Sequence, residues 1–117
     1  MTTFEKTILD WIGTKSADPE LQVQLKKATV SERKHTGVGC YTEFEYPDGT
    51  LPTQADYKER GPITGPEFKS EILQNGGGTL LWMENGFAKS LEIYTYDDQF
   101  PDNHDELGIV TLEIKNV

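Results

Sequence analysis

Residues 79–96 read Thr79-Leu80-Leu81-Trp82-Met83-Glu84-Asn85-Gly86-Phe87-Ala88-Lys89-Ser90-Leu91-Glu92-Ile93-Tyr94-Thr95-Tyr96. Residues suited to strands flank a central Asn85-Gly86. Asn-Gly tolerates the positive φ that a type I′ turn demands, so the stretch predicts a hairpin with arms Thr79–Glu84 and Phe87–Tyr96. In the second arm Leu91, Ile93 and Thr95 alternate with Glu92, Tyr94 and Tyr96, so one face is largely apolar and the other carries a carboxylate and two phenols.

Outward from the hairpin, the pattern stays β on both sides. Asn75 to Gly78 reads as a turn, and Phe68 to Leu73 fits either a strand or a short helix. Downstream, Ile109 to Lys115 is a last strand, with Val110, Leu112 and Ile114 inward and Thr111 and Glu113 outward. Upstream, Thr29–Thr36 and Val38–Tyr46 read as two strands joined near His35-Thr36-Gly37. Cys40, Thr42, Phe44 and Tyr46 share one face of the second. Between these strands and the hairpin lies a Pro- and Gly-rich connection beginning at Pro47 and running through Glu67.

The first 28 residues have helical spacing. Phe4, Ile8, Trp11 and Ile12 fall on one face, Thr2 and Glu5 fit a capping box, and Gly13 fits a stop. Asp18 as cap and Pro19 at the first position suggest a second helix with Leu21, Leu25 and Ala28 on one side. Leu21, Val23 and Leu25 also fit a strand; the cap favours the helix. Helices first and strands afterwards give an α+β fold: one or two N-terminal helices packed on a mainly antiparallel, largely meandering sheet of five to six strands, as one domain over 1–117. Without βαβ alternation, a nucleotide-binding parallel sheet is not expected.

Bulk properties narrow the function. The chain has 117 residues, enough for one core, and 35% of them are apolar, with five Phe, five Tyr and two Trp. Eleven Lys and Arg against 20 Asp and Glu give a net charge of −9. Such a chain is repelled by nucleic-acid phosphates and anionic membranes, so a charged partner should be basic. Cys40 is the only cysteine, which rules out an internal disulfide, and one Cys with two His makes no zinc pattern. The start MTTFEKTILDW lacks the apolar stretch of a signal peptide, and no apolar run approaches the ~20 residues of a membrane span. The expected location is the cytoplasm.

Two stretches carry a family resemblance: Val30-Ser31-Glu32-Arg33-Lys34-His35-Thr36-Gly37-Val38-Gly39-Cys40-Tyr41-Thr42, and Leu80 to Gly86 continuing through Leu91-Glu92-Ile93-Tyr94-Thr95-Tyr96 to Phe100-Pro101. They resemble a group of short bacterial proteins of unassigned function whose pattern is Val-x-x-Arg-Glu-x-Thr-Gly-x-Gly-Phe-Phe-Thr, then Asp-Gly and Leu-Glu-x-Tyr-x-Tyr before a Pro. Here Lys34 stands for the Glu, Cys40-Tyr41 for Phe-Phe, and Asn85 for the Asp. The resemblance covers roughly residues 21 to 102. It implies a bacterial source and one compact domain, and carries no catalytic residues.

Chemistry-bearing residues are few. Gly37-x-Gly39 and Gly76-Gly77-Gly78 match no phosphate-binding motif and read as turns or bulges. Asp97, Asp98, Asp102, Asp105 and Glu106 offer oxygen ligands, with His104 among them, but not in the order of a calcium loop, so a solvated acidic loop is the better reading. Cys40 alternates with core positions and reads as a small buried hydrophobe. Glu92, Tyr94 and Tyr96 suit an exposed binding face, in which tyrosine gives contact area and carboxylates select cations. They suit a helix-covered core face equally well.

The expected function is non-enzymatic binding of a basic protein through Glu92, Tyr94, Tyr96, Asp97, Asp98 and Asp102, for example by an immunity or inhibitor protein that neutralises a cationic bacterial toxin. No cofactor or metal, nucleic acid or membrane is expected to take part. Two other classes stay open. One is a small hydrolase or metal-assisted enzyme built from Glu43, Glu45, Glu92 and His35. The other is a small-molecule-binding regulator with a pocket between helix and sheet lined by Trp82 and Trp11.

Overall fold

The computed structural model describes residues 1–54, 61–97 and 99–113. Helix α1 spans Thr3–Lys15. Thr2 Oγ1 accepts the Glu5 N–H at 3.1 Å and Glu5 Oε1 accepts the Thr2 N–H at 2.8 Å, which completes the capping box. Phe4, Ile8, Leu9 and Ile12 form its buried face. Gly13 does not end the helix. Glycine permits the left-handed turn without imposing it, and helical bonding continues until the Ser16 N–H reaches the Ile12 carbonyl. Helix α2, Pro19–Lys27, starts as expected: the Asp18 carboxylate accepts from the Glu20 and Leu21 N–H groups and Pro19 takes the first turn. It buries Leu21, Gln24 and Leu25.

Seven antiparallel strands follow among the described residues: β1 Thr29–His35, β2 Gly39–Glu45, β3 Ile63–Thr64, β4 Glu67–Ser70, β5 Gly77–Glu84, β6 Phe87–Thr95 and β7 Val110–Glu113. The fold is α+β, with one short strand more than the sequence indicates. That strand, β3, lies in the proline-rich connection and pairs with β5. Residues 55–60 of the connection, Asp98, and Ile114 and Lys115 of the last expected strand lie outside the described residues. The Phe68–Leu73 alternatives resolve to strand β4, and Gly77 and Gly78 belong to β5 rather than to the turn before it.

The sheet runs β1-β2-β6-β5-β4-β7, so it meanders only in part. β2 pairs with β6 and β7 returns to β4, which places β6 and β5 at the centre. Their hairpin turns at Asn85, φ 53°, and Gly86, φ 84°, as Asn-Gly permits.

Strand alternation splits the sheet into two faces. Cys40, Thr42, Phe44, Phe68, Thr79, Leu81, Leu91 and Ile93 point to the helices and are buried. Phe4 meets Phe68 edge-on at 5.1 Å, and Phe100 and Leu107 complete that side. Each fully buried apolar side chain of this size contributes about 1.5–3 kcal/mol. Gln24, fully buried, binds the hairpin to α2: its Nε2 donates to the Gly86 and Leu51 carbonyls and its Oε1 accepts the Ala88 N–H, all within 3.0 Å. Both helices pack on this face. Among the described residues no helix lies over the other, and none is long and apolar enough to cross a membrane.

Candidate functional site: the open sheet face

The register sets out the open face row by row. Lys34, Tyr41, Glu92 and Leu80 lie opposite one another across β1, β2, β6 and β5. The adjacent row is Glu32, Glu43, Ser90 and Trp82. A third sets Tyr94 between Gly39 and Gly78. Farther out, Glu67 faces Glu113 and Lys69 faces Thr111. Glu92 and Tyr94 therefore stand on a central strand with neighbours on both sides.

Glycine explains how Tyr94 lies. A methyl at Gly78 would run into the Tyr94 ring, and one at Gly39 into the Ile93 carbonyl oxygen. With no side chain at either position, the ring lies down over Gly78. Tyr96 crosses it edge-on at 5.8 Å, 54% exposed, and reaches the Glu67 carboxylate at 3.5 Å. Burial, the hydrogen bond with Tyr94 and the Glu67 charge push the Tyr96 hydroxyl up to about 12, so it stays a donor at neutral pH.

Glu92 is held by neutral donors. Trp82 Nε1 donates to its Oε1 at 2.9 Å. Across the strand pair, the Tyr41 hydroxyl is pushed above its ordinary pKa by burial and then by the Glu92 charge and hydrogen bond. Two lysines of the face are engaged elsewhere: Lys34 with Glu43 at 3.6 Å and Lys69 with Glu113 at 3.5 Å. Among the described residues no cation pairs with Glu92. The result is a half-buried carboxylate ringed by Tyr41, Trp82, Tyr94 and Leu80. Such a surface can take up a cation by charge and by its aromatic walls.

The acidic residues expected beside it separate into different roles. Asp97 is tied to the turn before β5: its carboxylate accepts the Asn75 Nδ2 at 2.7 Å and the Asn75 N–H at 3.2 Å. Asp102, 87% exposed, stands 3.4 Å from His35 Nδ1 on the helix side. Asp98 lies outside the described residues. Of the five that are described, Glu92, Tyr94 and Tyr96 share one surface, and Asp97 and Asp102 do not. The carboxylates of the loop do not converge with its histidine: among the described residues no three His, Cys, Asp or Glu side chains are placed to hold a metal ion.

The candidate catalytic set is not brought together. Glu43, Glu45 and Glu92 stand on the open face, whereas His35 pairs with inward-facing Cys40 and so points to the other. Cys40 is 1% exposed, and burial pushes its thiol up, away from the reactive thiolate. Trp11 and Trp82 are also separated. Trp11 lines a hollow of about 660 Å³ with Ile12, Leu21 and Ile63, and Trp82 belongs to the opposite face.

Sequence reasoning missed the strongest polar constellation, which lies beneath the helices. Glu5, 0% exposed, accepts from Arg33 Nη2 at 2.7 Å, Arg33 Nε at 3.0 Å, Thr42 Oγ1 at 2.6 Å and the Thr2 N–H at 2.8 Å. Burial alone would raise its pKa; the bonds from Arg33, Thr42 and Thr2, with the Arg33 charge, outweigh that and hold it at about 2. A local signal existed for the cap but none for its tertiary partner. Nearby, His104 is buried between Phe4 and Phe100, with Nδ1 2.9 Å from Thr2 Oγ1. Its Nε2 has no hydrogen-bond partner among the described residues, and burial pulls its pKa down.

Compared with family models, curated proteins and solved structures, the chain matches none of them.

Proposed function

We propose that this chain is a non-enzymatic binding protein that captures a basic protein partner on the open face of its sheet, in the manner of an immunity or inhibitor protein that neutralises a cationic bacterial toxin. One observation carries the reading: both helices pack on one side, so Tyr41, Trp82, Glu92, Tyr94 and Tyr96 are left uncovered by either helix on the other. The charge supports it. The face presents Glu32, Glu43, Glu45, Glu67, Glu92 and Glu113 against Lys34, Lys69 and Lys89, in a chain of net charge −9. Complementary charge of this kind speeds encounter and selects partners more than it adds affinity. Tyr and Trp supply rigid contact area at low entropic cost.

Affinity capture from the cells that make the protein tests the reading. The wild-type chain is compared with a Glu92→Lys, Tyr96→Ala double variant whose melting curve is unchanged. A basic protein retained by the first and lost by the second is the expected result. No retained partner, or retention indifferent to the double change, removes the proposal. Charge reversal at Asp97 is a poorer probe, because that carboxylate also holds the Asn75 turn.

A further inference from the structure

We propose that the surroundings of Glu92 form a receptor for one arginine side chain of the basic partner; the inference rests on the binding reading above and names the group recognised. Glu92 sits mid-strand on β6, with Tyr41 opposite on β2 and Leu80 opposite on β5. The bond from Trp82 occupies one acceptor position of Oε1, and a carboxylate offers about four. Neutral donors orient the group without cancelling its charge, and the nearest row-mate cation, Lys34, is engaged by Glu43.

The same chain holds a filled counterpart. Glu5 is bound by a hydroxyl, a backbone N–H and both nitrogens of an arginine fork. Glu92 has the bond from the Trp82 indole, with the Tyr41 phenol opposite it on β2. What it lacks, among the described residues, is the fork. Charge complementarity asks for a cation, and the walls choose which one. A guanidinium is planar, weakly hydrated and able to stack on Trp82 or Tyr41 while donating two parallel bonds to Glu92. A lysine ammonium is compact and strongly hydrated, and it gains less from flat aromatic walls. The committed occupant is therefore an arginine on an exposed segment of another protein.

The test uses the full chain carrying Trp11→Phe, so that fluorescence reports Trp82 alone. It is titrated at low salt with a Gly/Arg peptide and a matched Gly/Lys peptide. A saturable change in Trp82 emission is expected, with the arginine peptide binding about fivefold or more tightly than the lysine peptide. Glu92→Gln should abolish that preference, and Tyr41→Phe should reduce it. If Trp11→Phe does not fold, the amide shifts of residues 41, 80 and 92 in the wild-type chain supply the same reading. Equal binding of the two peptides, or a preference that survives Glu92→Gln, overturns the arginine receptor and leaves the basic-partner proposal standing. Binding of neither peptide overturns the receptor, and joined to a failed affinity capture it removes both. Glu92-dependent self-association in sedimentation, without peptide binding, gives the face to a second copy and likewise overturns the inference.

Discussion

Glu5 and Glu92 stand on opposite sides of one sheet, each surrounded by donors, and they differ in where their counter-charge comes from. Glu5 is sealed under α1 and met by Arg33 of the same chain. Glu92 is half-buried on the open side and met by an indole and a phenol. A carboxylate neutralised from within belongs to the fold, and removing its partner strands a charge. One left un-neutralised adds little to stability and is free to answer to something outside. The two sides therefore respond to mutation in opposite ways, and the largest effects fall on the covered side.

Arg33→Ala leaves Glu5 buried without its cation and should cost about 3–5 kcal/mol in urea unfolding. A loss under about 1 kcal/mol would mean that water or Thr42 meets the charge, and the contrast between the sides would weaken. Acid probes the same pair without mutation. With its pKa lowered from 4.5 to about 2, Glu5 contributes stability that is full above 4.5 and lost as pH falls towards 2. About 3 kcal/mol should disappear across that window in wild type, and the Glu5→Gln chain should show none of it. His104 acts in the same direction from a higher pH. Its folded pKa lies below the ordinary 6.5, so the unfolded chain takes up a proton first and stability begins to fall below that value. A flat profile between pH 7 and 5 in unfolding titrations would contradict its neutral, buried state.

Next in size is Gln24→Leu, which strands the buried Ala88 N–H, takes the side-chain donor from the Leu51 carbonyl and leaves Gly86 with the Thr53 N–H alone; it should cost about 2–3 kcal/mol. The smallest effect belongs to the open side. Glu92→Gln should leave unfolding free energy within about 0.5 kcal/mol of wild type while binding of the basic partner is lost. If it destabilises as much as Gln24→Leu, Glu92 is a structural residue and the comparison fails.

Local chemistry in the sequence is what proved readable. The caps at Thr2 and Asp18 and the Asn85-Gly86 turn depend on neighbours within four residues, and the structure places each as read. Alternation likewise separated Leu91 and Ile93 from Glu92 and Tyr94. Pairing partners were another matter. That β2 lies against β6, and that a two-residue strand in the proline-rich connection joins β5, follows from contacts between distant segments with no local signature. Gly77 and Gly78 look like turn residues because glycine usually marks one. Here they pair with β6 in a strand, and they are glycines because Tyr94 and the ring of Phe68 pass too close for a side chain. The binding face was legible as a pattern on one strand. The Trp82 to Glu92 bond needed the register, and the separation of Asp97 and Asp102 from that face needed the path of the loop.

The hydrogen bond between Thr2 and His104 joins positions 102 residues apart. An isolated helix of 13 residues is marginal in water, and α1 gains its aromatic neighbours from Phe68 and His104. A helix made before every strand of the sheet is thus among the last elements to be secured. Until synthesis passes residue 104, the helix must wait beside an unfinished sheet, its apolar stripe exposed to whatever else is nearby.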